Sequence, residues 1–291
     1  MSYICRAITA DGGARIIFTD STDVVRAATK IHNTSKTMTA VLGRALTAAS
    51  LMGSLLKDKD NSLTLQFKGD GPAGTIVCVS DYSGNVRGYA DNPDVELPPN
   101  SQGKLDVGGA VGQGSMYVIK DMGMNDPYVG VSQIVTGEIG DDITEYFATS
   151  EQTPSVCALG VRVDTEKNCT AAGGFLIQLL PGADPDIVPI LEKNIAEMKS
   201  VSYLIKEGKT GEEIIAEAFR GIDYEMFDEF DTEYRCTCSR ERYLVALAGL
   251  SDEDMDDLRD GRPIEAVCHF CGEKYAFDLA EIEAKRAEKA E

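Results

Sequence analysis

Four of the eight cysteines lie in the last fifth of the chain, as two close pairs. Cys236 and Cys238 are separated by one residue, Cys268 and Cys271 by two, and 29 residues lie between the pairs. Two pairs of thiols that close one loop match the ligand pattern of a tetrahedral zinc site, in which each sulfur lies about 2.3 Å from the ion. The pattern predicts one zinc ion per chain, held by Cys236, Cys238, Cys268 and Cys271.

The first pair also suggests redox chemistry. Zinc sites ordinarily place two residues between paired cysteines, and a single intervening residue brings the sulfurs close enough to oxidise onto each other. Thiolates react with peroxide, and each pair contains a second thiolate that can convert a sulfenic acid into a disulfide. Spacing alone favours a purely structural zinc over such a switch, so both interpretations stay open at this point.

The other cysteines, Cys5, Cys78, Cys157 and Cys169, show no ligand spacing, and we expect them to be core thiols. Four basic residues flank the two pairs. They either offset the charge of a zinc tetrathiolate or lie in solvent: Arg235, Arg240, Arg242 and Lys274.

Composition and charge argue against several classes of protein. The chain has 291 residues, 43% of them hydrophobic, and a formal charge of −20, which repels nucleic acid and anionic membranes. The sequence begins without a basic leader and apolar block, so we predict no secretory signal and a reducing, cytoplasmic location. Its best candidate for a membrane span, residues 37–56, is interrupted by Arg44 and carries a small, polar face.

Residues 1–182 predict an α+β domain that is rich in antiparallel sheet. Segments 62–68 and 128–136 alternate strictly, which predicts half-buried strands. Their predicted buried faces carry Leu63, Leu65 and Phe67 in the first segment, and Val129, Val131 and Val135 in the second. Further strands are predicted at 75–80, 86–91, 116–120, 157–163 and 175–180. Apolar residues at helical spacing predict one long core helix at 38–56.

A helical linker is predicted at residues 183–233. Asp184 as cap and Pro185 at the first helical position begin a helix whose apolar stripe is Ile187, Leu191, Ile195 and Met198. A capping box at Thr210 begins a second helix, which stops at Gly221. Both helices are short and amphipathic, and such helices are marginal alone. We therefore predict a metastable linker, whose helices form mainly when their apolar faces dock on another surface.

The end of this linker, residues 222–233, contains six acids and no base. Runs of acidic residues favour a solvated linker, although the interleaved aromatic residues leave docking open.

Residues 234–291 predict a module too small to rely on its own core without a staple. Ser239 and Ser251 predict two helix starts, with the helices ending near Gly249 and Gly261. Segments 265–267 and 274–277 predict a hairpin around Cys268 and Cys271, and Asp278 can cap a closing helix.

No catalytic residue is predicted. The Gly-rich stretch 69–74 joins two predicted strands and contains Pro72, which favours a hairpin turn over a dinucleotide-binding loop. Residues 107–114 lack the Lys-Ser/Thr ending of a phosphate loop and predict a flexible loop. His32 and His269 are the only histidines, which argues against a histidine-based triad. We expect His32 to be a cap or surface residue, and His269 to be either a hydrogen-bond donor to one of the metal-binding sulfurs or an exposed residue of the knuckle.

Across nearly its whole length, the sequence resembles the heat shock protein 33 family of redox-regulated chaperones. All four cysteine positions match. The segments that carry the likeness are 40–44 (AVLGR), 102–105 (QGKL), 137–142 (GEIGDD), 150–155 (SEQTPS), 171–175 (AAGGF) and 266–275 (AVCHFCGEKY).

The resemblance implies a holdase chaperone that needs no ATP, is not an enzyme and is silent while reduced and zinc-bound. It implies that oxidation forms the disulfides Cys236–Cys238 and Cys268–Cys271, releases zinc, unfolds the C-terminal module and destabilises the linker. Unfolding client proteins then bind, and the active form is a homodimer. Together with the marginal linker helices, the resemblance implies that the stripe of Ile187, Leu191, Ile195 and Met198 docks on the sheet domain only while zinc is bound. Three alternatives remain: a zinc-stapled interaction module without switching, a thiol-disulfide oxidoreductase, and a nucleic-acid-binding zinc knuckle, which the net charge disfavours.

Overall fold

The structure is a computed structural model that describes residues 1–260 and 262–290, with side-chain detail that excludes residues 260, 289 and 290. It contains helices and antiparallel sheets, so the predicted α+β class is confirmed. The chain divides into two compact units, Met1–Arg235 and Cys236–Glu291. Residues 183–233 belong to the first unit, and the division lies two residues after the predicted start of the C-terminal module at 234.

The first unit contains two five-stranded antiparallel sheets. Its strands are β1 (Ser2–Thr9), β2 (Ala14–Asp20), β3 (Ser62–Gly69), β4 (Thr75–Asp81), β5 (Val86–Ala90), β6 (Gly114–Asp121), β7 (Tyr128–Gln133), β8 (Ser155–Val163), β9 (Cys169–Leu179) and β10 (Tyr224–Thr232). One sheet has the order β10-β1-β2-β9-β8 and the other β5-β4-β3-β6-β7. All of the predicted strands form, and β1, β2 and β10 are additional. The turn at 69–74 joins β3 to β4, as predicted.

The helices of the first unit are α1 (Thr22–His32), α2 (Lys36–Gly53), α3 (Val107–Val111), α4 (Gly140–Thr149), α5 (Ile187–Glu197), α6 (Val201–Lys206) and α7 (Gly211–Ala218). The predicted long helix is α2, and sixteen of its eighteen residues are buried because it packs against strands of both sheets. Its polar face is satisfied internally, since the Ser50 hydroxyl donates to the Gly84 carbonyl at 2.7 Å. Among the described residues, no helix is long and apolar enough to cross a membrane.

The predicted buried face of β7 is wrong. Val129 and Val131 are 51% and 48% exposed, and the inward positions are taken by Gly130 and Ser132. The reason is the ring of Tyr146, which lies so close to Gly130 that an added Cβ would meet its Cε2 at 2.8 Å. A large core side chain from α4 therefore replaces the apolar side chains that the strand does not supply.

The flexible loop predicted at 107–114 is also wrong over its first part. Residues Val107–Val111 form the short helix α3, which begins where the Asp106 side chain accepts a hydrogen bond from the Gly109 N–H. The helix forms despite its glycines because Val107, Ala110 and Val111 are buried in the core.

Three helices, not two, pack on the first sheet in the predicted linker. Helix α5 begins at Ile187 with Asp186 as its N-cap, so the start predicted from Asp184 and Pro185 is two residues too early. Helix α6 was not predicted, whereas the capping box at Thr210 forms as expected at the start of α7. These helices share one core with the sheet face, and Ile187 and Leu191 of the predicted stripe are buried in it.

The solvated linker predicted at 222–233 is wrong. Residues 224–232 form β10, which pairs with β1 along the edge of the first sheet. Acids are tolerated there because most of the side chains stay exposed, while Arg6 on β1 binds the Asp228 carboxylate through two N–H groups.

The second unit is small. It contains α8 (Arg240–Leu247), α9 (Asp252–Asp257), a 3-10 turn (Leu258–Asp260), β11 (Ile264–Val267), β12 (Lys274–Phe277) and α10 (Leu279–Ala290). Ser239 and Ser251 cap α8 and α9 as predicted, and β11 and β12 form the predicted hairpin. The helix end predicted at Gly261 lies outside the described residues. The buried apolar core consists of Leu244, Met255, Ile264, Phe277 and Ile282.

Candidate metal centre

The second unit brings all four predicted cysteine ligands together. The sulfurs of Cys236, Cys238, Cys268 and Cys271 all lie within 4.8 Å of one another. Cys236 Sγ lies 3.7 Å from Cys268 Sγ, and Cys238 Sγ lies 3.4 Å from Cys271 Sγ. Four sulfurs bonded tetrahedrally to one ion at about 2.3 Å are about 3.8 Å apart, so this cluster fits a metal ion.

Local hydrogen bonds shape the second half of the cluster into a knuckle. The Cys268 N–H donates to the Glu273 carbonyl at 2.8 Å, and the Gly272 N–H donates to the Cys268 carbonyl at 2.8 Å. Gly272 has a φ of +75°, a conformation that favours glycine. Cys268 and Cys271 therefore sit on the tight turn between β11 and β12.

The first pair lies in an extended segment directly before α8. Ser239 follows Cys238 and caps the helix, since its side chain accepts a hydrogen bond from the Arg242 N–H. The Arg242 guanidinium in turn donates to the carbonyl of Thr237 at 2.9 Å. The start of α8 and the Arg242 side chain thus hold Thr237, the one residue between the paired cysteines, in place.

The surroundings of Cys268 favour ionisation of its thiol. Burial opposes ionisation, but hydrogen bonds from the Tyr243 hydroxyl and the N–H groups of Cys271 and Phe270 lower its pKa to about 7. The pKa of Cys271 is raised by burial and by the neighbouring sulfurs, despite a hydrogen bond from the Glu273 N–H. Four sulfurs this close favour one thiolate among neutral thiols when no cation balances them.

Two tyrosines at the cluster were not predicted. The Tyr275 hydroxyl lies 3.2 Å from Cys238 Sγ, and the Tyr243 ring packs on the Tyr275 ring with centroids 5.3 Å apart. The pKa of Tyr275 is raised by its hydrogen bond to Cys238, and that of Tyr243 by burial and its bond to Cys268. Tyr275 was visible in the sequence four residues after Cys271, but only the hairpin register shows that its hydroxyl reaches a sulfur.

The four basic residues that flank the pairs have partners other than the sulfurs. Arg235 pairs with Glu233 in the first unit, Arg240 with Glu281, and Lys274 with Glu265. Arg242 binds Thr237, as described above. His269 is exposed, and His32 ends α1 half-buried, with Nε2 3.2 Å from the Tyr234 hydroxyl.

The four cysteines of the first unit are core thiols, as expected. Cys5, Cys78, Cys157 and Cys169 are all buried. Burial raises the pKa of each, to about 12 for Cys5 and Cys169. A thiol with so high a pKa is a poor nucleophile at neutral pH, so reactive sulfur is concentrated in the second unit.

The chain is thus a two-unit α+β protein, in which a large unit is followed by a small unit built around a candidate metal centre of four thiols. The family model described as Hsp33 protein matches residues 2–278. The 33 kDa chaperonin of Ruminiclostridium cellulolyticum is 45% identical over 97% of this chain and 96% of its own length. That of Agathobacter rectalis is 44% identical over 98% and 99%.

A solved structure agrees with these sequence matches. The crystal structure of the 33 kDa chaperonin (Hsp33 homolog) from Thermotoga maritima superposes with a TM-score of 0.90 at 36% identity, covering 99% of this chain and 98% of that one. The chain belongs to the Hsp33 family.

Proposed function

We propose that this protein is an ATP-independent holdase chaperone, silent while its four C-terminal thiols are reduced and bind zinc, and active after their oxidation. The observation that carries the proposal is the cluster of four sulfurs in a unit with a core of five buried apolar side chains. Chaperone function comes to this chain from its relatives, which are named 33 kDa chaperonin.

The donor set favours zinc, because four sulfurs suit a soft, tetrahedral ion and exclude the oxygen-binding cations. When bound, zinc would hold the sulfurs of Cys236, Cys238, Cys268 and Cys271 as thiolates and would supply on the order of 10 kcal/mol of folding free energy. The small apolar core offers little to replace that contribution. The second unit therefore unfolds when its thiolates are consumed.

Oxidation is a two-electron step in each pair. A thiolate attacks one oxygen of hydrogen peroxide, the O–O bond breaks, and hydroxide leaves, which gives a sulfenic acid. The second thiolate of the pair attacks that sulfur and expels a second hydroxide, which forms the disulfide. The closest sulfurs lie across the pairs, so the pairing Cys236–Cys238 and Cys268–Cys271 rests on the family resemblance and on the short loops that it closes.

Residues 233–235 form a strap that transmits the unfolding of the second unit to the first unit. The Val86 N–H donates to the Glu233 carbonyl at 3.0 Å, and the Arg235 N–H donates to the Val86 carbonyl at 2.8 Å. The Tyr234 hydroxyl donates to the Gly88 carbonyl at 2.9 Å. This strap lies along β5 and continues directly into Cys236, so unfolding of the second unit frees its C-terminal end and lowers the cost of detaching it.

The linker helices are the element that is released. They cover an apolar sheet face that includes Phe18, Phe175 and Ile177. A groove of about 450 Å³, open to solvent, lies between α5 and strands β8 and β9, so α5 does not cover the sheet completely there. Short helices held by such a contact are marginal, and their undocking exposes the sheet face to the apolar segments of unfolding proteins.

We further propose that the active form is a homodimer that works in the cytoplasm, where the thiols stay reduced until stress. A strongly acidic chain, with a charge of −20, keeps such an opened state soluble and does not bind nucleic acid or membranes.

One titration tests the proposal. Reduced, purified protein is warmed mildly and treated with peroxide, while zinc release is followed with a chromogenic chelator and suppression of aggregation is followed on an unfolding test protein. We expect about one zinc per chain, released in step with the onset of holdase activity. Activity without release, or release without activity, would reduce the cluster to a structural staple.

A further inference from the structure

One sulfur of the first cysteine pair has a tyrosine hydroxyl within hydrogen-bonding distance. Tyr275 Oη lies 3.2 Å from Cys238 Sγ. A thiolate has no proton to donate, so once Cys238 is ionised the hydroxyl is the donor of this bond. Tyr275 is therefore a side-chain contribution to the shell around the sulfurs.

The Tyr275 hydroxyl is held in place by the hairpin and by α8. Tyr275 lies on β12, paired with Ala266 of β11, and its ring packs against that of Tyr243 on α8. The ring centroids are 5.3 Å apart, with an angle of 35° between planes. A phenyl ring would fill the same space, so packing alone does not account for a hydroxyl that reaches sulfur.

Hydrogen bonds to a thiolate oppose its oxidation. A thiolate attacks peroxide with the electron pair that also accepts the hydrogen bond, so the bond weakens as charge moves from sulfur to the peroxide oxygen. Bonds to charged acceptors are stronger than neutral ones, so this loss slows the reaction. Brønsted behaviour points the same way, since a more stabilised thiolate is a weaker nucleophile.

We propose that Tyr275 is a positioning residue that sets the oxidant threshold of the switch at the pair Cys236 and Cys238. This inference rests on the proposed function. The step that it slows is the first one: the thiolate attacks peroxide, hydroxide leaves and a sulfenic acid forms. The second thiolate of the pair then expels hydroxide, so that two electrons pass from two sulfurs to one peroxide.

The test compares Tyr275→Phe with the wild type. The matched control is Tyr117→Phe, which removes the hydroxyl of a half-buried tyrosine on β6 in the first unit. Each zinc-loaded, reduced protein is treated with peroxide, and zinc release is timed. We expect release about 3- to 10-fold faster in Tyr275→Phe and unchanged in the control.

Peptide mapping of the first disulfide assigns the effect to the pair. In Tyr275→Phe the Cys236–Cys238 disulfide should form earlier than in the wild type. Cobalt-loaded protein gives a readout without oxidation. Loss of a donor to a thiolate raises the energy of its electron pairs, so the sulfur-to-cobalt absorption should move to longer wavelength in the variant.

The outcomes separate the inference from the function on which it rests. Wild type that releases zinc, with a Tyr275→Phe variant that releases it at the same rate and shows an unshifted cobalt spectrum, would overturn the role of Tyr275 and leave the switch standing. A wild type that keeps its zinc under peroxide would overturn the switch and the threshold role together.

Discussion

The backbone N–H of Gly211, the first residue of α7, donates to the hydroxyl oxygen of Tyr3 on β1 at 2.8 Å. This bond satisfies one of the free N–H groups at the helix start and places it directly on the sheet. Gly211 is needed for the approach, because an added Cβ would meet Cys5 Sγ at 2.5 Å and Phe18 Cδ1 at 2.7 Å. The linker thus docks where the sheet leaves no room for a side chain.

Gly211→Ala should activate the chaperone without oxidation. The added methyl group forces α7 away from Phe18 and Cys5, which costs about 1 to 3 kcal/mol of docking energy. We expect the reduced, zinc-loaded variant to suppress aggregation of a test protein under conditions where the wild type does not. The control is Glu212→Ala, which changes the exposed neighbouring residue. A variant whose α7 exchanges amide hydrogens faster but which stays silent would argue against the linker as the covering element.

Asp142→Asn should destabilise the first unit strongly. The buried Asp142 carboxylate accepts N–H groups of Val135 at 2.8 Å and Ile139 at 2.9 Å, and holds Ile139 at a φ of +69°. In asparagine, an NH2 donor replaces one acceptor oxygen and faces a backbone N–H. We therefore expect the free energy of unfolding, measured with urea, to fall by about 2 to 4 kcal/mol. Asp141→Asn, at the exposed neighbour, should cost less than about 1 kcal/mol. Equal effects would contradict this role.

The Arg6–Asp228 pair should make the stability of the β10 edge depend on pH. Arg6 holds the pKa of the Asp228 carboxyl below its ordinary value. A lowered folded-state pKa adds stability above the unfolded value of about 3.9, and that stability is lost as pH falls through the folded value. The wild type should therefore be more stable than Asp228→Asn at pH 6. The difference should shrink as the pH falls below about 4 and vanish below the folded-state pKa of Asp228. A difference independent of pH would exclude this pair as its source.

Removal of zinc from the reduced protein should first unfold the second unit, while the central strands of the first unit stay folded. Its buried core of five apolar side chains does not compensate for loss of the site. Circular dichroism should show the loss of α8, α9 and α10 on addition of a strong chelator, and recovery when zinc is restored. Amide exchange in the central strands β3 and β4 serves as the internal control and should stay slow. Retention of the helices after complete chelation would show that the unit folds without metal.

Most helices and strands could be predicted because the residues that specify each of them are close together in the sequence. The alternation of Leu63, Leu65 and Phe67 and the capping box at Thr210 each specify an element from adjacent residues, and both formed as expected. The cluster of four cysteines was predictable for the same reason, since their spacing is short within each pair.

The errors arose where a distant partner decides the outcome. The valines of β7 face outward because Tyr146 occupies the core above Gly130. The acidic segment 224–232 becomes a strand because β1 offers it an edge and Arg6 offers a counter-charge. Tyr275 reaches Cys238 only through the register of the hairpin, which no spacing rule contains.

Amide hydrogen exchange through residues 187–219 tests the central claim, that metal loss releases the linker, most directly. Reduced, zinc-loaded protein is compared with peroxide-oxidised protein from which one zinc has been released. We predict slow exchange at Ile187, Leu191 and Ile214 in the reduced form, and exchange faster by at least about 100-fold after oxidation, as docked helices become free. Exchange that stays equally slow in the oxidised, zinc-free protein would contradict the account.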